Sequence, residues 1–127
     1  LLVSIRGLTS NAAELTARLR LMPKLPHLLC LNETMLDRAV GDVPLEVYTL
    51  FTRWDRKDGR EGGGVAVYAL DDIADSVTSE LESETDERQW VIVHSNKGPF
   101  LVCNWYRPPG DTRCPAIEGF EGQNIIL

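Results

Sequence analysis

Cysteine is scarce in this sequence: three residues in 127, Cys30, Cys103 and Cys114, with no Cys-x-x-Cys. An odd, unclustered set makes neither a zinc-ligand pattern nor a disulfide framework. Cys30 and Cys103 lie inside apolar runs, so they read as buried thiols of a reducing, intracellular compartment. Long apolar runs are missing too. The longest clean one, Val65-Ala66-Val67-Tyr68-Ala69-Leu70, is strand-sized. A membrane helix needs about 18 such residues, so no membrane partner is expected. The two histidines, His27 and His94, have no partner at ligand or triad spacing, and no Ser/His/Asp or Cys/His set is identifiable. With 10 glycines and 7 prolines the chain is neither collagen-like nor of low complexity. No Gly-Lys-Ser/Thr follows its one glycine run, which excludes a P-loop. Basic residues are the minority, 13 against 19 acidic, for a net charge of -6. This argues against a protein that coats nucleic acid through bulk charge. It leaves room for an enzyme whose acidic site holds divalent cations.

What is present is ordinary globular material: 43% apolar and 25% charged residues, enough for one domain at most. The chain opens on Leu1-Leu2-Val3-Ser4-Ile5 with no signal-peptide architecture and closes on the apolar run Ile125-Ile126-Leu127. Natural domains usually finish on polar, frayed termini. Residues 1–127 are therefore expected to be a partial domain, truncated at both ends within a larger polypeptide.

The hydrophobic pattern predicts an α/β chain rich in strands. Leu1 to Ile5 reads as a buried strand. Asn11 as N-cap with Glu14 three residues on predicts a helix start. Ala12, Leu15, Leu19 and Met22 share one face of that helix, and Pro23 stops it. His27 to Leu31 reads as a second strand, parallel or nearly so to the first. Strands are further expected at Val47–Thr52 and Val65–Leu70, with a charged loop over residues 53–61 between them. The acidic run from Asp71 to Glu87 reads as a solvated face. Trp90–His94 and Phe100–Tyr106 predict a hairpin around the turn Asn96-Lys97-Gly98-Pro99. A helix is expected to begin near Pro115.

Few residues stand out as carriers of chemistry. Glu33 lies just beyond a buried strand, a rigid place for a metal ligand; the bland alternative is a solvated turn residue. Gly62-Gly63-Gly64 is either a phosphate nest or, more simply, a place where backbone approaches closely. Tyr106 and Arg107 end a strand. They face a phosphodiester through hydroxyl and guanidinium, or they are a packed tyrosine and a surface arginine. Arg53, Arg56, Lys57 and Arg60 form the one basic cluster suited to a nucleic-acid backbone, nearly cancelled by Asp55, Asp58 and Glu61.

The order of these motifs is more specific than any one of them. Ile5-Arg6-Gly7-Leu8, Leu31-Asn32-Glu33-Thr34, Gly62-Gly63-Gly64-Val65-Ala66-Val67 and Asn104-Trp105-Tyr106-Arg107-Pro108-Pro109 follow one another. The series resembles the endonuclease/exonuclease/phosphatase superfamily, and within it the apurinic/apyrimidinic-type endonuclease domain of non-LTR (LINE-like) retrotransposons. The resemblance runs from about residue 1 to about residue 112 and covers the first half of such a domain. It implies the N-terminal half of a four-layer, DNase I-like α/β sandwich, with mixed β-sheets and flanking helices. It implies Mg²⁺ held by Glu33, a catalytic pair Glu33 and Tyr106, and contacts to substrate from Ser4, Arg6 and Arg107. The implied partners are target-site DNA and the rest of a retrotransposon polyprotein with its reverse transcriptase, and the implied location is the nucleus. Ser4 stands where the family usually has Asn. The family's later Gly-Asp-x-Asn and Ser-Asp-His motifs, which position and activate the attacking water, do not occur in these residues. The expectation is a fragment of a Mg²⁺-dependent DNA endonuclease, inactive as this chain. The alternatives are a phosphoesterase for small phosphate esters or a degenerate, non-catalytic interaction module.

Overall fold

The computed structural model describes residues 1–37, 39–56, 63–80, 88–105 and 125–126. It is a mixed α/β structure with two four-stranded sheets. The first contains β1 (Leu2–Ser4), β2 (Leu28–Asn32), β3 (Tyr48–Trp54) and β4 (Val65–Leu70) in the order β1-β2-β4-β3. The second contains β5 (Val77–Glu80), β6 (Arg88–Ser95), β7 (Gly98–Trp105) and β8 (Ile125–Ile126) in chain order. β1 and β2 pair in parallel, as their strand–helix–strand spacing predicts, and β4 runs antiparallel to both β2 and β3.

Strand alternation decides what lies between the layers. On one face of the first sheet, Leu29, Leu31, Ala66 and Tyr68 pack with Leu8, Leu15 and Leu19 of the helix α1 (Leu8–Arg20). On the other, Val67 and Ala69, with Leu28, Cys30 and Phe51, meet Val77, Val91, Val93 and Val102 of the second sheet. The sheets therefore stack face to face, with α1 outside the first. The outer face of the second sheet is apolar as well: Trp90, Leu101 and Cys103 are buried there, flanked by Ile92 and Trp105.

Several expectations need correction. The helix begins at Leu8, not after Asn11. Asn11 is no N-cap; its Nδ2 donates to the carbonyls of Ile5, Arg6 and Gly7. The helix's first N–H groups are satisfied instead by the end of β2, with Gly7 N donating to Glu33 O and Leu8 N to Thr34 O, both at 2.9 Å. A backbone partner thus replaces the side-chain cap. Gly7, at φ 106°, makes the turn that sends Leu8 into the core. Met22 lies past the helix end and is exposed.

The loop predicted from residue 53 begins later. Arg53 and Trp54 continue β3 beyond a bulge between Leu50 and Thr52. The acidic segment is solvated at Asp71, Asp72 and Asp75, but it contains a short 3-10 helix (Asp71–Ser76) and then β5, a strand the sequence pattern did not announce. The hairpin forms with a shorter turn than expected: Ser95 pairs with Gly98 and His94 with Pro99, which leaves only Asn96 and Lys97 between the strands. Cys103 is buried; Cys30 is half-buried, and burial raises its thiol pKa. The expected helix near Pro115, and Cys114, lie outside the described residues.

Candidate functional site

The carboxyl ends of β1 and β2 converge where the chain leaves both strands. Ser4 and Asn32 are register partners, so their side chains leave the same face of the sheet, the one turned to the second sheet. Strict alternation would send Glu33 to the opposite side. Glu33 instead takes a left-handed conformation, φ 55°, and its Oε2 accepts a 2.8 Å hydrogen bond from Ser4 Oγ. Arg6, also left-handed at φ 50°, places Nε 3.6 Å from the same oxygen. Left-handed backbone costs a non-glycine residue about 1–2 kcal/mol, and such strain persists only where the surroundings over-determine it.

Those surroundings are backbone. Ile5 N donates to Asn32 O, Gly7 N to Glu33 O and Leu8 N to Thr34 O. From the other side Thr34 N donates to Gly64 O and Met35 N to Gly63 O. Residues 32–35 are thus clamped between the start of α1 and the entry to β4. Gly63 and Gly64, at φ 74° and 91°, allow this; a Cβ on Gly64 would collide with the Thr34 hydroxyl. The close-approach reading of the glycine run holds for these two residues, while Gly62 lies outside the described residues.

The Glu33 side chain is 21% exposed and that of Arg6 81%. An ion pair so open to water contributes little to stability. Its chemical meaning is a fixed carboxylate beside a largely solvated guanidinium.

A second set of polar groups is buried at the sheet interface. Asn104 of β7 is 1% exposed, and its Nδ2 donates to Leu31 O and Ala66 O, each at 3.2 Å. The second sheet is thereby keyed to the two strands that carry Glu33 and the glycines. Gln89, with its amide oxygen facing the donors, accepts from Thr52 Oγ1, Arg53 N and Trp54 N at 2.7, 3.0 and 3.2 Å. Asn104 entered the sequence reading only as the first residue of a motif, with no role of its own. Its signal is a polar residue at an inward position of an alternating strand, which must find partners once buried.

Of the residues predicted for the site, Ser4, Arg6 and Glu33 come together, while Tyr106 and Arg107 lie outside the described residues. The basic cluster is reassigned. The Arg53 side chain is 14% exposed and donates to Asp55, Asp42, Asp37 O and Val40 O. It anchors a loop and does not face a nucleic-acid backbone. Its pKa is raised first by the hydrogen bond to Asp55. Arg56 lies against Gly63, and Lys57 and Arg60 are outside the described residues. His94 pairs with Thr78 in the second sheet, with Nε2 3.3 Å from Oγ1.

Among the described residues no group of three or more His, Cys, Asp and Glu is arranged to hold a metal ion. The donor set nevertheless suits a hard, mostly hydrated cation. Mg²⁺ is commonly held through one or two carboxylates and keeps several waters. Glu33 supplies one carboxylate, Ser4 a hydroxyl, and among the described residues the buried Asn32 Oδ1 and Asn104 Oδ1 have no hydrogen-bond partner. Among the described residues no helix is long and apolar enough to cross a membrane. No protein-family model and no curated protein matches this chain.

Proposed function

We propose that this chain carries the first half of a Mg²⁺-dependent DNA endonuclease domain. The domain is of the apurinic/apyrimidinic type that non-LTR retrotransposons encode ahead of a reverse transcriptase. The observation that carries this reading is the Ser4–Glu33 hydrogen bond, which fixes a carboxylate at the carboxyl ends of two parallel strands. The four-layer sandwich is part of the same proposal. Its support is the face-to-face stacking of the sheets, the helix on the outer side of the first, and the apolar outer side of the second, the kind of face a further layer covers.

In this reading Glu33 holds the ion and Ser4 orients Glu33. Held there, Mg²⁺ would supply charge to offset that of a scissile phosphate. Arg6, mostly solvated, reaches toward the DNA backbone as a charge-assisted donor. Tyr106 and Arg107 take their places beside the phosphate by resemblance alone. The proposed partners are target-site DNA and the remainder of the polyprotein, and the proposed location is the nucleus. Hydrolysis also needs a positioned base, and the motifs that supply it are not among these 127 residues. Ser4, which stands where the family usually has Asn, favours a second reading, a non-catalytic module that keeps the fold.

Plasmid nicking tests both. The 127 residues with Mg²⁺ should leave supercoiled plasmid intact. A longer polypeptide that includes the two missing motifs should nick it, and Glu33→Ala should abolish the nicking. Nicking by the short chain would overturn its inactivity. A longer polypeptide that binds no Mg²⁺ would favour the non-catalytic module, and one that hydrolyses small phosphate esters but not DNA would move the substrate class.

A further inference from the structure

Among the described residues, two buried amide oxygens between the sheets have nothing to accept from. Asn32 is 9% exposed and Asn104 1%, yet among the described residues neither Oδ1 has a hydrogen-bond partner. A buried acceptor left unpaired forfeits its hydration without return. Both oxygens are acceptors only, so neither serves the other.

Both side chains lie at the same stretch of β2. Asn104 Nδ2 rests 3.2 Å from Leu31 O. Because that carbonyl adjoins Asn32 in the chain, the Asn104 amide lies within about 6 Å of the Asn32 Cα. Register places the Asn32 side chain on the same face as Ser4, whose hydroxyl touches Glu33. Asn104 also lines a cleft of about 450 Å³ bounded by Leu2, Cys30 and Val102.

We propose that Asn32 and Asn104 form the inner wall of a hydrated-cation site at Glu33, their amide oxygens accepting hydrogen bonds from water bound to the ion. The inference rests on the reading of Glu33 as a Mg²⁺ ligand and adds two residues to it. Mg²⁺ surrenders its waters reluctantly, so a pocket for it needs acceptors facing its hydration shell as much as direct ligands. Neutral carbonyl oxygens meet that need without placing further charge in a buried space. The same two oxygens repel a phosphate, so the inner side of the site belongs to the ion and its open side to the anion.

The test is a Mg²⁺ titration of the ¹⁵N-labelled 127-residue chain, followed through backbone amides and the side-chain NH₂ groups of asparagine. The Asn32 and Asn104 side-chain signals should move in step with the Glu33 backbone amide and saturate together. Asn32→Leu, which removes an unpaired acceptor at similar volume, should weaken Mg²⁺ binding by about tenfold or more and leave the melting temperature unchanged or higher. If Glu33 responds while both asparagine side chains stay still, ordinary internal water serves the two oxygens and the inference falls alone. If Asn32→Leu binds Mg²⁺ as wild type does, it falls likewise. If neither Glu33 nor the asparagines respond to Mg²⁺, the reading of Glu33 as a ligand fails and takes the inference with it.

Discussion

Ser4 Oγ and Glu33 Oε2 lie 2.8 Å apart, and their hydrogen bond joins the carboxyl ends of two parallel strands across 29 positions of sequence. The family that the motifs resemble usually has Asn at the first position, a longer side chain with an amide. Here the shorter serine hydroxyl reaches because Glu33 turns back toward it through a left-handed backbone. If Glu33 is a Mg²⁺ ligand as proposed, Ser4→Ala should lower Mg²⁺ affinity by about tenfold, the usual cost of losing a ligand's orienting partner. Ser4 is exposed, so stability should change by less than about 0.5 kcal/mol. Calorimetric titration and a urea unfolding curve together check the two halves of the statement.

Gly64 tests the clamp behind Glu33. Gly64→Ala requires a side chain at φ 91° and drives its Cβ into the Thr34 hydroxyl. Strain of this kind costs about 1–3 kcal/mol, and the clash adds to it. A urea midpoint that stays at the wild-type value would show that residues 32–35 are not held by the entry to β4.

Arg53 is the anchor of the loop that follows Glu33. Its guanidinium contacts Asp55 at 2.8 Å, with the two side chains 14% and 13% exposed. Arg53→Met leaves the Asp55 carboxylate shielded from water and without that partner, and it removes the donors to Asp37 O and Val40 O. The expected loss is about 3 kcal/mol. Arg53→Lys should recover only part of it, since an ammonium lacks the planar fork that serves a carboxylate and two carbonyls together. Full recovery by lysine, measured by chemical denaturation, would contradict this account.

Tyr68 sets an alkaline limit. Burial first, then the nearby Asp42 charge, pushes its hydroxyl up to about 12, with Arg53 opposing. The hydroxyl also donates to Val43 O at 2.6 Å. In the unfolded chain the same group ionises near 10. The folded state thus favours the protonated form. Its contribution is whole below about pH 10, falls between about 10 and 12, and is level above that, a change of order 2 kcal/mol. Tyr68→Phe lacks this fall, so the stability gap between it and wild type should narrow over that window. Tyr48, raised by burial in the same direction, leaves the phenylalanine variant a smaller dependence of its own. Parallel stability–pH curves for the two proteins would contradict the assignment.

Local patterns carried much of the architecture. Val65–Leu70 reads as a strand because β-branched and aromatic residues run uninterrupted between glycines and an acidic turn, and the structure has that same strand. The hairpin of β6 and β7 was legible from alternation around a glycine turn. The start of α1 was not. Asn11 has the chemistry of a cap, but the true start lies at Leu8, where carbonyls of residues 33 and 34 serve the first amides. No window of sequence around the helix contains those partners. β5 escaped for a related reason: Val77 is buried only because the second sheet lies against the first.

The candidate site divides in the same way. The sequence by itself determined that a carboxylate would stand at the end of a buried strand, with Ser4 and Arg6 at the end of another. Hydrophobic runs and breakers fix strand ends over a few residues, a local property. Tertiary structure decided that these ends meet, that a left-handed Glu33 turns onto Ser4, and that Asn104 arrives from 73 positions away to rest on Leu31 O. It also turned Arg53 from an apparent phosphate contact into a buried anchor. These outcomes depend on backbone partners and on burial, and both are supplied by segments far away in the chain.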